Sequence, residues 1–327
     1  MTMKKQFKVV SIIILCIYLC INLAACSQSE KEFYSHSEKK NISFEKNPKK
    51  HPKKSKPEEI KKKKADKKVK STEKISKEPE TKVKSEENIF SEKAENIIKE
   101  SVQGIGGTVN YAFCDYTTGY TLIKDDGKTK AASVIKLFIM EYVYSLIEKG
   151  EIKETDTVGS SSIKTLVENM ITVSDNNSTN ILIDRFGMEN INAYIQNRGY
   201  ENTSLERKML DTNASKSGHE NYTSAKDVVK FLNSLYNNRE TFPQNRMLEI
   251  MKNQKISTKL RRDMPADVKI ASKTGELSDT ENDVAIVFTP KGDYAIVFIT
   301  QNAPSSQIKN AMAKCNRKMY DEFYSGS

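Results

Sequence analysis

The sequence predicts an α/β (α+β) fold, in which a mostly antiparallel sheet built from both ends of a domain is covered by terminal helices and carries an inserted all-helical lobe. Three observations predict it. Strand-like runs cluster at 108–124 and again at 268–301, towards the two ends of a domain spanning 89–327. Helical periodicity fills the stretch between them. The segment AASVIKLFIM at 131–140 is apolar on nearly every face, the mark of a helix buried inside a larger fold. Strands at both ends with helices between are most economically one sheet with an insertion.

Two segments precede that domain. Residues 1–26 carry Lys4, Lys5 and Lys8, then an apolar run from Val9 to Ala25 broken by Ser11 and Asn22. This is a signal-peptide pattern outside the fold. The alternative is an uncleaved N-terminal membrane anchor; on either reading the remainder is exported. Residues 27–88 hold 20 lysines, 12 acidic residues, four of the eight prolines and no glycine. So little apolar surface cannot offset chain entropy, and a disordered, extended tether is expected. The chain's formal charge of +10 resides in these segments, +3 and +8, which leaves residues 89–327 at −1. A near-neutral fold gives no support to nucleic-acid binding. The tether is a solvated spacer or, on a sharper reading, is drawn to anionic cell-wall polymers.

Within 89–327 a helix is expected from Phe90 to Val102. The Gly104-Ile105-Gly106-Gly107 segment precedes a strand instead of following one, so it is a turn and not a phosphate-cradling loop. Strands Thr108–Asp115 and Tyr120–Lys124 flank the turn Thr117-Thr118-Gly119. The helix containing Ser133 runs to Gly150, a natural residue just past a C-terminus. Helices follow at about Ser162–Val173, Asn177–Phe186, Glu189–Asn197, Ser224–Asn237 and Gln244–Gln254. Strands return at Val268–Lys273, Asp283–Thr289 and Tyr294–Gln301, and an amphipathic helix runs from Ser305 to Tyr324. Cys114 and Cys315 read as buried thiols in preference to an allowed disulfide. His219 is the domain's single histidine, too few ligands for zinc, and no cofactor is expected. A monomer is expected.

The chemistry starts at the lysine inside AASVIKLFIM. In a helix Ser133 and Lys136 share a face, so hydroxyl and amine can approach. A serine hydroxyl needs a base, and desolvation disfavours a charged lysine. Alone, Ser-x-x-Lys reads as a capping serine and a snorkelling lysine. Two more tripeptides change that. Ser174-Asp175-Asn176 breaks the chain between two helices, and Lys273-Thr274-Gly275 ends the strand VKIASKTG. A hydroxyl, an amide and a second lysine at element ends are what a cleft needs to hold an amide carbonyl and a carboxylate.

In this order and on these elements, the three motifs resemble the class A β-lactamases and their penicillin-recognising relatives, over essentially all of 89–327. The resemblance implies a β-lactamase-like sheet and lobe. It implies that Ser133 attacks a lactam carbonyl and becomes acylated, with Lys136 as the matching proton acceptor. Ser174 would relay a proton to the leaving nitrogen, Asn176 would bind the substrate's side-chain amide, and Lys273 and Thr274, followed by Gly275, would face its carboxylate. The backbone N–H groups of Ser133 and Glu276 would form the oxyanion hole. Leu23-Ala24-Ala25-Cys26 resembles the lipobox of bacterial lipoproteins, which implies a lipid on Cys26 and a place on the outer face of the cytoplasmic membrane.

The sequence departs from the family pattern twice. The segment between Ser133 and Ser174 is shorter, so part of the helical lobe is trimmed. The family's deacylating glutamate, four residues before an asparagine, has no counterpart in LERKMLDTNASKSGHENYTSA. Aligning Leu210-Asp211 with the family's Leu-Asn puts Arg207 in the glutamate's place, with Glu206 one residue out of register and Asp211 in the asparagine's place. Glu206 and Asp211 are therefore the candidate deacylation bases. Three functions compete: a membrane-tethered serine β-lactamase slow to deacylate, a D,D-peptidase or penicillin-binding protein acting on D-Ala-D-Ala stem peptides, and a non-catalytic envelope-binding lipoprotein.

Overall fold

The computed structural model describes residues 78–326; Cys26, the signal-like segment and residues 27–77 of the expected tether lie outside the described residues. The first described element, α1 (Glu78–Val102), begins well before Phe90, inside the segment read as tether. Pro79 suits a first helical turn, where its missing N–H is not needed, and the lysines and glutamates that follow are good helix formers. Among the described residues no helix is long and apolar enough to cross a membrane.

Strands β1 (Thr108–Asp115) and β2 (Thr121–Lys124) form a hairpin. A short β3 (Thr129–Lys130) leads through a 3-10 turn (Ala132–Ile135) into α2 (Lys136–Glu148). A small hairpin of β4 (Thr157–Val158) and β5 (Ser161–Ser162) precedes α3 (Ile163–Thr172), α4 (Asn176–Phe186) and α5 (Met188–Asn197). Then come a one-turn α6 (Thr212–Lys216), β6 (Tyr222–Thr223), α7 (Ala225–Asn237) and α8 (Gln244–Lys252). Strands β7 (Lys269–Leu277), β8 (Thr280–Phe288) and β9 (Tyr294–Gln301) complete the sheet before α9 (Ser305–Met319), whose end widens into a π turn (Tyr320–Tyr324).

The sheet has the order β2-β1-β9-β8-β7 and every pairing in it is antiparallel. The first long strand and the last lie side by side, from Thr108 opposite Gln301 to Asp115 opposite Tyr294. Side chains alternate between faces along a strand, and here they alternate between two cores. Ala112, Cys114, Ala295, Val297 and Ile299 join the core with α2 and α7, whereas Tyr111, Phe113, Tyr294, Ile296 and Phe298 join α1 and α9. Both faces are covered, which is why these strands read as continuous apolar runs. The same alternation puts Cys114 and Cys315 in different cores, and both are free thiols.

Three expectations about element ends are corrected. Ser133 is not a helix residue: it sits in the 3-10 turn, and no side chain caps either that turn or α2. The cause lies just upstream, where Ala132 takes φ 47, a left-handed conformation that ends regular structure. The strand carrying Lys273 does not stop there but continues to Leu277, because its hairpin with β8 closes only at the pair Leu277 and Thr280. The last helix turns π-helical at Tyr320, so that Tyr324 donates its hydroxyl to Asp115 at 2.5 Å and stacks on Tyr294 at 4.4 Å.

Candidate active site

Three segments meet where the sheet joins the helical lobe. The first is the turn holding Ser133. Its backbone is fixed from both sides: Ala131 N donates to Asn221 O at 2.8 Å, and Asn282 Nδ2 donates to Lys130 O at 2.9 Å and to Ala131 O at 3.1 Å. A non-glycine residue at positive φ costs on the order of 1–3 kcal/mol and persists only when its surroundings over-determine it. Ala132 has such surroundings. Strand β7 presses on the same turn at Gly275, where a Cβ would lie 2.9 Å from Ala131 O and 3.1 Å from Ser133 N. The glycine is required by that approach.

The second segment is the break between α3 and α4. Ser174 is at φ 58, and Asp175 caps α4 by accepting from Ser178 N at 2.6 Å. Hydrogen bonds from the Ser178 side chain and then its backbone, with help from Lys136, hold the Asp175 carboxyl below the usual range. Asp175 therefore braces the turn while Ser174 and Asn176 point at the lysines. Lys136 Nζ, fully buried, donates to Ser174 O at 2.7 Å, to Asn176 Oδ1 at 2.8 Å and to Ser174 Oγ at 3.2 Å.

The third segment is β7. Lys273 Nζ, also fully buried, donates to Thr274 O at 2.7 Å and to Ser174 Oγ at 2.9 Å. The Ser174 hydroxyl thus lies between two amines. Burial lowers Lys136 to about 8 against the opposing pull of Asp175. Burial, and then the nearby charge of Lys136, push Lys273 well below the ordinary lysine value. A hydroxyl held between two desolvated amines has a group on each side able to exchange a proton with it. Among the described residues no protein group hydrogen bonds to Ser133 Oγ, although Ser133 lines the neighbouring cleft.

That cleft, of about 310 Å³, is lined by Ser133, Asn176, Arg207, Asp211, Glu220 and Glu276 among others. Of the expected residues, Ser133, Asn176, Asp211 and Glu276 line this cleft, while Lys136, Ser174, Lys273, Thr274 and Gly275 belong to the meeting segments without lining it. Glu206 is not part of the lining: Lys128 Nζ and Ser204 Oγ each donate to it at 2.8 Å, and these contacts keep its carboxyl below its ordinary value despite burial. Asp211 does line the cleft, but its Oδ1 caps α6 by accepting from Ala214 N at 2.9 Å. The Glu276 side chain is largely exposed and ion-paired with Lys309 at 3.2 Å and with Lys259 at 3.5 Å.

Sequence reasoning missed Glu220. It is buried and accepts a two-pronged bond from the equally buried Arg207, Nε to Oε1 at 2.8 Å and Nη2 to Oε2 at 3.0 Å. A signal was present: an arginine in this loop needs a counter-charge once buried, and the acids that follow it there are Asp211 and Glu220.

A mostly antiparallel sheet with an inserted helical lobe, holding a serine and two buried lysines at their junction, defines a serine hydrolase of the penicillin-recognising class. A family model described as Beta-lactamase enzyme family matches residues 92–323, and the chain belongs to that family, as a class A-like serine β-lactamase. It is 28% identical over 246 residues to Beta-lactamase BRO-1 of Moraxella catarrhalis, covering 62% of this chain and 78% of that protein. Its similarity to Beta-lactamase AER-1 of Aeromonas hydrophila is also 28%, over 203 residues, covering 58% of this chain and 64% of that one. Among solved structures, a beta-lactamase from Sphaerobacter thermophilus superposes with a TM-score of 0.61 at 25% identity, over 70% of this chain and 96% of that one. PBP-A gives 0.60 at 23% over 70% and 96%, a likeness of fold.

Proposed function

We propose that the chain is an exported, lipid-anchored β-lactamase that is acylated by β-lactams on Ser133 and releases the acyl group slowly. The observation that carries the acylation half is the Ser174 hydroxyl held between the buried amines of Lys136 and Lys273. In this reading Lys136, as free amine, takes the proton from Ser133 while Oγ attacks the lactam carbonyl carbon. Catalytic hydrogen bonds of this kind often tighten only in the substrate complex. The backbone N–H groups of Ser133 and Glu276 hold the developing oxyanion, a role supported by the close approach of Gly275 to Ser133. Ser174 then protonates the departing lactam nitrogen and is resupplied from the lysines. Lys273 and Thr274 receive the substrate carboxylate, and Asn176 the side-chain amide. Slow release is supported by Arg207 standing where the family has its base.

The test is intact mass spectrometry of the full chain after exposure to penicillin. A mass increase of one penicillin is expected on wild type and none on Ser133→Ala, which should fold normally because Ser133 caps nothing. Labelling that survives the substitution rejects the assignment. The missing base also favours a second reading, a D,D-peptidase acting on D-Ala-D-Ala stem peptides. Turnover of a chromogenic cephalosporin without release of D-alanine from such a peptide decides for the first.

A further inference from the structure

Glu220 is the buried carboxylate among the residues that line the cleft with Ser133, and its oxygens are taken. Oε1 accepts from Arg207 Nε and from Asn221 N, each at 2.8 Å, and Oε2 accepts from Arg207 Nη2 at 3.0 Å. The third guanidinium nitrogen, Nη1, donates to Lys208 O at 3.0 Å. The loop under this pair is clamped. Asn221 Oδ1 accepts from Glu206 N and Arg207 N, Asn180 exchanges two bonds with the backbone of Met209, and Asn192 exchanges two with Leu205. Asn221 O in turn accepts from Ala131 N, two residues before the nucleophile. So the arginine, the carboxylate and the turn of Ser133 are linked through Asn221, while the Glu206 carboxylate is engaged by Lys128 and Ser204 and Asp211 by the α6 cap.

We propose that Arg207 acts as a brake on deacylation, by occupying both oxygens of Glu220 and so keeping this carboxylate from serving as the general base. The inference rests on the reading that Ser133 is acylated. The step being restrained is hydrolysis of the ester. A base takes a proton from water as its oxygen attacks the acyl carbon; the bond to Ser133 Oγ then breaks, Oγ takes back the proton, and the acid leaves. With three of its four acceptor sites filled by the rigid fork and Asn221 N, Glu220 keeps one site, on Oε2, and the fork fixes where that site points. Arg207 is on this view a positioning residue, and Glu220 a latent base.

The experiment uses the full chain as wild type, Arg207→Gln, Glu220→Gln and the double variant. Each is exposed to benzylpenicillin, freed of excess, and followed by intact mass, with lifetimes read on the labelled fraction. The adduct on Arg207→Gln is expected to decay about 10²-fold faster than on wild type, the lower end of what general-base help supplies. The double variant is expected to return to the wild-type lifetime. An Arg207→Gln lifetime equal to or longer than wild type overturns the brake. So does an acceleration that persists in the double variant, which would mean that loosening the loop admits water without Glu220. A wild-type adduct that hydrolyses within seconds also overturns it. If Arg207→Gln fails to fold, Arg207→Lys keeps the charge but not the two-pronged bond; it is expected to shorten the lifetime in the same direction, and no change overturns the proposal. Absence of any initial label on wild type would instead reject the acylation reading, a separate outcome visible at the first time point.

Discussion

Lys136 has no exposure to solvent and spends its three N–H donors on Ser174 and Asn176. Removing water from an ammonium raises the free energy of the charged form, and Asp175 returns only part of it, which leaves the amine titrating at about 8. The direction of the pH effect follows. Below that value the amine is protonated and cannot accept a proton from Ser133; above it the free amine predominates. The rate of penicillin labelling is therefore expected to climb as pH rises through about 8 and then to level off. Lys136→Arg, which keeps the charge but cannot release the proton, should lose the climb together with about 10²–10⁴-fold of the rate. Stopped labelling reactions across the pH range check both; a flat profile in wild type would remove Lys136 from the role of base.

At the scale of elements, the site depends on β7 lying hard against the turn of Ser133. Gly275→Ala is a small change by volume, but its Cβ would meet Ala131 O at 2.9 Å and Ala132 Cβ at 3.1 Å, so strand or turn must move. A displacement of the nucleophile of about 1 Å costs on the order of 10²-fold in rate. The expected result is a loss of acylation of that order in a protein that still unfolds cooperatively, read from labelling rates and a thermal melt. The elements themselves were largely legible in the sequence, because a period of 3.6 is written into α7 and because α2, β1 and β9 are apolar runs bounded by turn residues. The motifs at Ser133 and Ser174 were legible because each combines polar chemistry with a break between elements, and Lys273-Thr274-Gly275 because a lysine interrupts an apolar strand. What was not legible was set by contacts distant in sequence. The 3-10 turn at Ser133 depends on Asn221 and Asn282, the extension of β7 depends on β8, and the role of Glu220 depends on an arginine thirteen residues earlier that meets it only after the loop has folded back.

For the whole molecule, the lipid anchor proposed above rests on the stretch Leu23-Ala24-Ala25-Cys26. A single acyl chain holds a protein to a bilayer weakly, whereas two or more anchor it stably. Cys26→Ala is expected to release the chain into the soluble fraction or to stall its processing. Fractionation of cells expressing each form, with labelling of Ser133 as a marker of the folded domain, checks this. A variant processed and membrane-bound like wild type would reject the lipid anchor.

The pairing of β1 with β9 also bears on when reactivity appears. A chain emerging from the ribosome delivers Ser133 and Lys136 early, together with the helices that bury them, but Lys273 and Gly275 arrive only near the end. Until β9 is out, nothing fills the place between β1 and β8, and the β7–β8 hairpin that bears on the serine is not joined to β1. Non-local strand pairings of this kind form late, because the intervening loop must be closed before any contact repays it. If Ser133 is acylated as proposed, an unfinished or truncated chain is expected to be silent toward an acyl donor, with reactivity appearing only once the last strands are in place.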